Sequence, residues 1–565
     1  MINEGNGSNV GSTDPSEEKL GIPQSNDQTT VSVTANLAPI KAENIEVTNP
    51  RRDIHFWLVF VALSSCSLLS AIDLAGVGTA APTIVHSLSG NDFTWVSSAY
   101  ALSSAACVPL SGNLAQIFGR RPIIQLGIII FAAGSAISAS AHTMVILIVG
   151  RALQGVGGGI IQALNAIIIA DLVPLRERGL FTGITGLTWT FGSAVAPFIA
   201  GGLAEKASWR WLFYLNLPLC GISLFVVTIF LRLKKPTESF REKFFKIDWL
   251  GNALIMSSAC SCMLALTWGG VRFQWSSFRI LVPLILGFCG LGFSLLYEFR
   301  WAIQPTIPLA VLSNRNSFIG YVVTFISGVV TITIGCKPTW FQAVQGASPV
   351  VSGLHFLPWA ISISPFAIVQ GLIVAKTGRY RLVNLSGWVI MLLGVGLLIS
   401  LKTNTSIGLL VLYQLIMGAG GGLLYSASFA VLAPLSVSLN APAVALLVFL
   451  RLFSQAWGVA LGGTILQNAL QEDLPRSLLT QYSDGAQIAY SIVPTIPGMA
   501  QPLKSEVQTA FVRGFRVLWI AIEIFCAVGI LSIFVMKDIP LRKTVDKRWG
   551  LNREEKKVSD STNER

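Results

Sequence analysis

The 565-residue chain is 52% apolar and only 12% Asp, Glu, Lys or Arg, where soluble domains carry about 25% charged residues. That balance argues against a soluble enzyme. The net charge of +12 would suggest nucleic-acid binding in a soluble chain, but here it has to be divided among the loops between apolar runs.

Residues 1–54 are polar and rich in Ser, Thr, Asn and Glu. They read as a disordered cytosolic tail without a cleavable signal, so the first apolar run acts as the insertion signal. Fourteen apolar runs follow, each long enough to cross roughly 30 Å of hydrocarbon as a helix. They are predicted at 56–79, 94–115, 122–141, 143–170, 180–203, 211–231, 248–270, 280–299, 317–336, 352–375, 382–401, 407–434, 442–466 and 515–536. The expected fold class is therefore an all-α polytopic membrane protein. The tail, the even-to-odd loops and the C-terminal segment 537–565 carry 28 Lys and Arg residues, against ten in the opposite loops. Cytoplasmic loops are the Lys/Arg-rich ones, so both termini are expected in the cytosol.

Two loops stand out. The one with Arg232, Lys234, Lys235, Arg241, Lys243 and Lys246 reads as a topology anchor near anionic lipid rather than a regulatory docking site. The segment at about 467–514 carries several prolines and both signs of charge, and is expected to be an external lid or cap. All eight cysteines fall in or at the ends of apolar runs, which predicts neither a disulfide framework nor a metal site. No Walker A loop, no His-x-x-x-His pair and no Gly-x-Ser-x-Gly elbow occurs, so no enzyme, no cofactor and no direct ATP drive is expected.

The chain repeats itself. Gly112-Asn-Leu-Ala-Gln-Ile-Phe-Gly119-Arg120-Arg121 follows the second span, and Gly371-Leu-Ile-Val-Ala-Lys-Thr-Gly378-Arg379-Tyr380-Arg381 follows the tenth. Gly155-Val-Gly157-Gly158-Gly159 in span four reappears as Gly418-Ala-Gly420-Gly421-Gly422 in span twelve. Spans nine to fourteen thus repeat spans one to six, which predicts two six-helix bundles with two extra helices inserted between them. The implied divisions are 55–232, 233–300 and 301–536.

On these motifs the chain resembles the 14-span drug:proton antiporter branch of the major facilitator superfamily, particularly fungal toxin and multidrug exporters, over about residues 55–536. Parallel repeats around a midplane site are that superfamily's architecture. The branch's first-span motif is matched at Asp73, Ala80 and Pro82, while Ala75 and Gly78 stand where Thr and Asn are expected. Its fifth-span antiporter motif is matched at Gly192, Pro197, Gly201 and Gly202, with Ala196 and Ala200 in place of Gly. The gating loop has Gln116 where an Asp is usual.

Asp73 is the only acid in the first span. A lone carboxylate at that depth must be neutralised or paired, and reads either as a proton site or as half of a fixed ion pair. Arg151 and Gln154 lie three apart on one helix face, and the resemblance implies that they belong to the proton-coupling motif. Gly155 and Gly159 read as close helix contact rather than a dinucleotide loop. Gly112, Gly119, Arg120 and Arg121, with Gly371, Gly378, Arg379 and Arg381, form the expected gating loops, the arginines reaching acids or helix C-termini or serving as plain topology anchors. Arg451 and Glu523 are the remaining deep charges, either a pair or a second proton or cation site. Trp189, Trp340, Phe341, Trp359, Phe453 and Trp457 are the aromatics expected to line a substrate cavity, each also readable as lipid-facing or core.

The expectation is a monomeric, proton-coupled exporter of a small amphipathic compound in the plasma membrane, with substrate, proton and lipid as its partners and no nucleic acid. The rivals are an importer of siderophores or basic amino acids, in the plasma or vacuolar membrane, and a non-transporting sensor.

Overall fold

In hydrocarbon every backbone N–H and C=O must be satisfied inside its own segment, so long apolar runs become helices. The computed structural model describes residues 53–88, 94–231, 233, 239–270, 272–479 and 492–542. Most of the expected N-terminal tail, most of the C-terminal tail, the loop residues Arg232, Lys234 and Lys235, and positions 480–491 of the external segment lie outside the described residues.

Fourteen long helices are present among the described residues: α1 (Ile54–Leu88), α2 (Thr94–Phe118), α3 (Arg120–Ala139), α4 (Met144–Leu172), α5 (Arg178–Lys206), α6 (Arg210–Phe230), α7 (Trp249–Trp268), α8 (Phe278–Arg300), α9 (Arg315–Ile334), α10 (Pro349–Thr377), α11 (Tyr380–Ile399), α12 (Ile407–Leu423), α13 (Asn440–Asp473) and α14 (Leu503–Val535). Twelve of them are both long and apolar enough to cross a membrane; α2 and α5 are long enough but less apolar. Of the fourteen expected spans twelve therefore qualify by length and composition, while α2 and α5 carry many Ser, Thr and Gly residues.

Helix starts follow the sequence chemistry. Thr143, Asp248, Ser277, Asn314 and Ser348 each accept a hydrogen bond from a backbone N–H of the next turn, the standard N-terminal cap. The ends differ from expectation in three places. Helix α1 runs nine residues beyond 79, and α14 starts twelve residues before 515. The ninth span breaks at Gly335 and Cys336 and resumes as a short helix, Lys337–Gln345. Pro338 explains the break, because it cannot donate to the preceding turn.

Helices α1 to α6 pack among themselves, as do α9 to α14, and the two groups meet along α5 against α10 and α2 against α13. Helices α7 and α8 pair with each other, and α7 leans on α2 and α13. The motif glycines stand at the closest approaches. A Cβ on Gly112 would lie 2.6 Å from Ala445 Cβ, and one on Gly371 only 2.2 Å from the Leu180 nitrogen. Gly119 and Gly378 end the same two loops at φ of 95° and 71°, a region other residues enter at a cost.

Candidate functional site

Helix α4 sits deep because its glycines let neighbours close in. A Cβ on Gly155 would meet the Tyr100 carbonyl oxygen at 2.3 Å and one on Gly159 the Ser104 carbonyl at 2.3 Å, both on α2; one on Gly157 would meet α3 at 2.5 Å. Arg151, one turn earlier, is consequently fully buried. Its Nη1 donates to Asp73 Oδ2 at 2.6 Å and to Gln154 Oε1 at 2.7 Å, and its Nε to the Val96 carbonyl at 3.1 Å. The other carboxylate oxygen of Asp73 accepts from Gln154 Nε2 and from Asn216 Nδ2, each at 2.7 Å. Gln154 Nε2 also donates to Ser135 Oγ at 2.8 Å. The guanidinium lies over the Tyr100 ring, 4.6 Å from its centroid, a cation–π contact.

The structure thus brings Asp73, Arg151 and Gln154 together. A buried ion pair is supported by hydrogen bonds to its remaining lone pairs and N–H groups; here amides from α4 and α6 complete the carboxylate, while Arg151 Nη2 has no hydrogen-bond partner. Asn216, Ser135 and Tyr100 were not singled out from the sequence. Asn216 carried a readable signal, being the one amide in the apolar run 211–231.

At the end of the molecule carrying the two Gly-Arg loops, Arg120 is buried against Asp171 at 2.8 Å and donates to the Ala115 carbonyl at 2.8 Å. Arg121 donates to the Thr228 carbonyl near the C-terminus of α6. Its repeat counterpart Arg381 donates to the Ile533 and Phe534 carbonyls of α14, whereas Arg379 is exposed. Cations at helix C-termini are favoured by the helix dipole. The bonds of Arg121 and Arg381 stay within their own six-helix group. The bridge between groups comes from Arg176, which sequence inspection passed over: it donates to the Ala375 and Lys376 carbonyls of α10 at 2.6 and 2.8 Å. Gln116 makes no hydrogen bond among the described residues.

Other expectations need correction. Gly192 packs on α1, where a Cβ would meet Ala71 at 2.9 Å, but Gly201 and Gly202 face open space. The buried positions of that motif are Gly192, Ala196 and Ala200, so its packing face carries one glycine and two alanine methyls, and Pro197 lies within the helix. Arg451 and Glu523 do not pair. Arg451 lies over the Tyr425 ring at 4.6 Å, while Glu523 stands on another helix beside Gly396.

A cavity of about 430 Å³ opens between α2, α7 and α13, with Leu74 of α1, Gln162 of α4 and Ile332 of α9. None of the six aromatics expected to line a cavity lines this one. Trp340, Phe341, Trp359 and Phe453 are core residues, Trp457 packs on Phe288, and Trp189 is half-buried on α5. Apart from Tyr100, the cavity wall is built from small, hydroxylated, amide and aliphatic side chains.

A sequence profile described as Major Facilitator Superfamily matches residues 63–463. The chain belongs to the Major Facilitator Superfamily. It is 34% identical over 526 residues to "Efflux pump FUS6" of Gibberella fujikuroi, covering 91% of this chain and 95% of that one. It is also 34% identical to "MFS-type efflux pump LUC4" of a Fusarium species (92% and 94% covered) and to "Acurin A biosynthesis cluster MFS-type transporter" of Aspergillus aculeatus (89% and 93%). Among solved structures the proton:xylose symporter XylE, 14% identical, aligns over 88% of this chain and 99% of its own with a TM-score of 0.55. The human organic anion transporter MFSD10, also 14% identical, aligns over 85% and 99% with a TM-score of 0.53. At that identity the likeness shows the superfamily fold. The protein is an integral, multi-pass membrane member of that superfamily.

Proposed function

We propose that this Major Facilitator Superfamily protein exports a small amphipathic organic compound, a drug, toxin or secondary metabolite, in exchange for protons. The observation that carries the reading is the fully buried Asp73–Arg151–Gln154–Asn216 network. A carboxylate held by a permanent cation at such depth is a functional site by default. Taking a proton removes the charge that Arg151 Nη1 bonds, freeing α1 and α4 to separate; losing it restores the pair. Coupling then requires proton and substrate to favour different orientations of the two six-helix groups. The seams Gly112–Ala445 and Gly371–Leu180, with the Arg176 bridge, support a closed end on the side of the basic loops. Export rather than uptake is supported by the relatives named efflux pumps.

Residues 55–232 and 301–536 would move as two bodies, with 233–300 inserted between them. The charge asymmetry of the loops supports cytosolic termini; export would then cross the plasma membrane, with the monomer as the working unit. The test is transport in vesicles under an imposed pH gradient. Asp73→Asn should lose gradient-driven flux; retention of the wild-type rate would overturn the coupling role.

A further inference from the structure

Among the described residues, those that line the cavity between α2, α7 and α13 include no carboxylate, amine, guanidinium or imidazole. Its volume of about 430 Å³ falls within the roughly 300–1,000 Å³ of small-molecule sites. The polar groups that reach it are hydroxyls and amides, including Ser97, Ser104, Tyr100, Gln162, Gln455 and Gln467. The hydroxyls of Tyr100 and Ser104 are buried and have no hydrogen-bond partner within the protein, a cost of about 1–3 kcal/mol each when left unmet. A charged ligand would enter a mostly apolar space without a counter-ion, which is strongly disfavoured. A neutral ligand bearing oxygen atoms would cover the apolar walls and hydrogen-bond the accessible hydroxyl of Ser97 and the amides of Gln162 and Gln455, while the enclosed Tyr100 and Ser104 hydroxyls stay behind the wall.

One wall belongs to the inserted pair. Met263, Leu266, Thr267, Gly269 and Gly270 come from the end of α7, and Trp275 in the following loop donates to Thr464 of α13 at 3.0 Å, tying the insert to the second six-helix group. The opposite wall backs onto the charge network. Tyr100 lines the cavity and lies under Arg151, and Leu74 follows Asp73 in the chain.

We propose that this cavity is a binding site for an uncharged, oxygen-bearing amphipathic molecule, with the inserted helix α7 as a specificity wall and Tyr100 as the residue through which an occupant touches Arg151. The assignment deepens the transporter reading and rests on it for the identity of the occupant as cargo. Binding is measured on the full-length protein in detergent by saturable quenching of tryptophan fluorescence, with three dyes: uncharged Nile red, cationic rhodamine 6G and anionic fluorescein. A side chain at Gly463 would point into open space at the cavity wall, so Gly463→Trp fills the site and Gly463→Ala controls for folding.

Nile red should bind saturably, weaken at least tenfold in Gly463→Trp and stay within twofold in Gly463→Ala, with the charged dyes binding at least tenfold more weakly. If Gly463→Trp aggregates, Thr267→Trp from the α7 wall carries the same test. The proposal is overturned if Nile red shows no saturable binding, if the tryptophan variants bind it as the wild type does, or if a charged dye binds equally well and is equally displaced. Absence of gradient-driven flux by the wild-type protein, with this binding pattern intact, would instead sink the transport reading and leave the site standing.

Discussion

Replacing one partner of the Asp73–Arg151 pair should cost far more than replacing both. Asp73→Asn leaves a fully buried guanidinium whose acceptors, the Val96 carbonyl, the Gln154 amide oxygen and the new asparagine oxygen, are all neutral. Arg151→Gln leaves a carboxylate supported only by neutral amides. Stranding a buried charge in this way costs about 3–5 kcal/mol, so the two single losses would sum to about 6–10 kcal/mol if they were independent. The double variant Asp73→Asn/Arg151→Gln holds no charge there and keeps amide-to-amide bonds in the same space. Its expected cost is about 1–3 kcal/mol, the difference between charge-assisted and neutral hydrogen bonds. The interaction energy should therefore be at least about 3 kcal/mol. The assay is equilibrium unfolding of the purified protein in mixed micelles by sodium dodecyl sulfate titration, followed by tryptophan fluorescence. A double variant as unstable as the two single losses added together would refute the reasoning, since the residues would then act independently.

Gly112→Leu and Gly371→Leu should each wedge the two six-helix groups apart, because a first carbon already lies within 2.6 Å of its neighbour. At least a tenfold loss of transport is expected, with faster maleimide labelling of a cysteine placed on that seam. Arg176→Ala removes two charge-assisted bonds to α10 and should raise the same labelling rate about tenfold while leaving the unfolding midpoint of the protein nearly unchanged. Gly155→Leu should abolish folded expression because its side chain would strike the backbone of α2. Gly202→Ala, in open space, should change stability by no more than the helix-propensity difference of about 1 kcal/mol, read from the same unfolding titration.

Much of the fold was legible because a bilayer imposes one rule on every span: apolar length becomes helix. The repeat could be read from two glycine motifs alone, since glycine at a helix crossing is an irreplaceable volume constraint. The pairing of Asp73 with Arg151 was readable for a related reason: two charges in otherwise apolar spans have few places to go. The rest depended on which faces meet. Asn216 and Tyr100 are ordinary residues in a sequence and become part of the charge network only when α6 and α2 pack on α4. Arg176 looked like one more inside-positive charge, and only the position of α10 makes it a bridge. The expected aromatic cavity failed because bulky rings stabilise most where they are fully enclosed, which leaves small and hydroxylated residues to border empty space. Of the two readings of Arg451 and Glu523, the pair is not formed, since charges on two helices of one group need not face each other.

The two seams between the halves are built unequally. Along α5 and α10, Arg176 holds two carbonyls and Thr190 shares a hydrogen bond with Ser364 at 2.7 Å; along α2 and α13, Gly112 rests against Ala445 and the neighbouring Asn113 donates to Thr306 at 3.2 Å. A joint with a charged clasp on one edge and a single neutral bond on the other swings like a book about its spine, so widening should begin beside α13, on the same flank where the inserted pair stands.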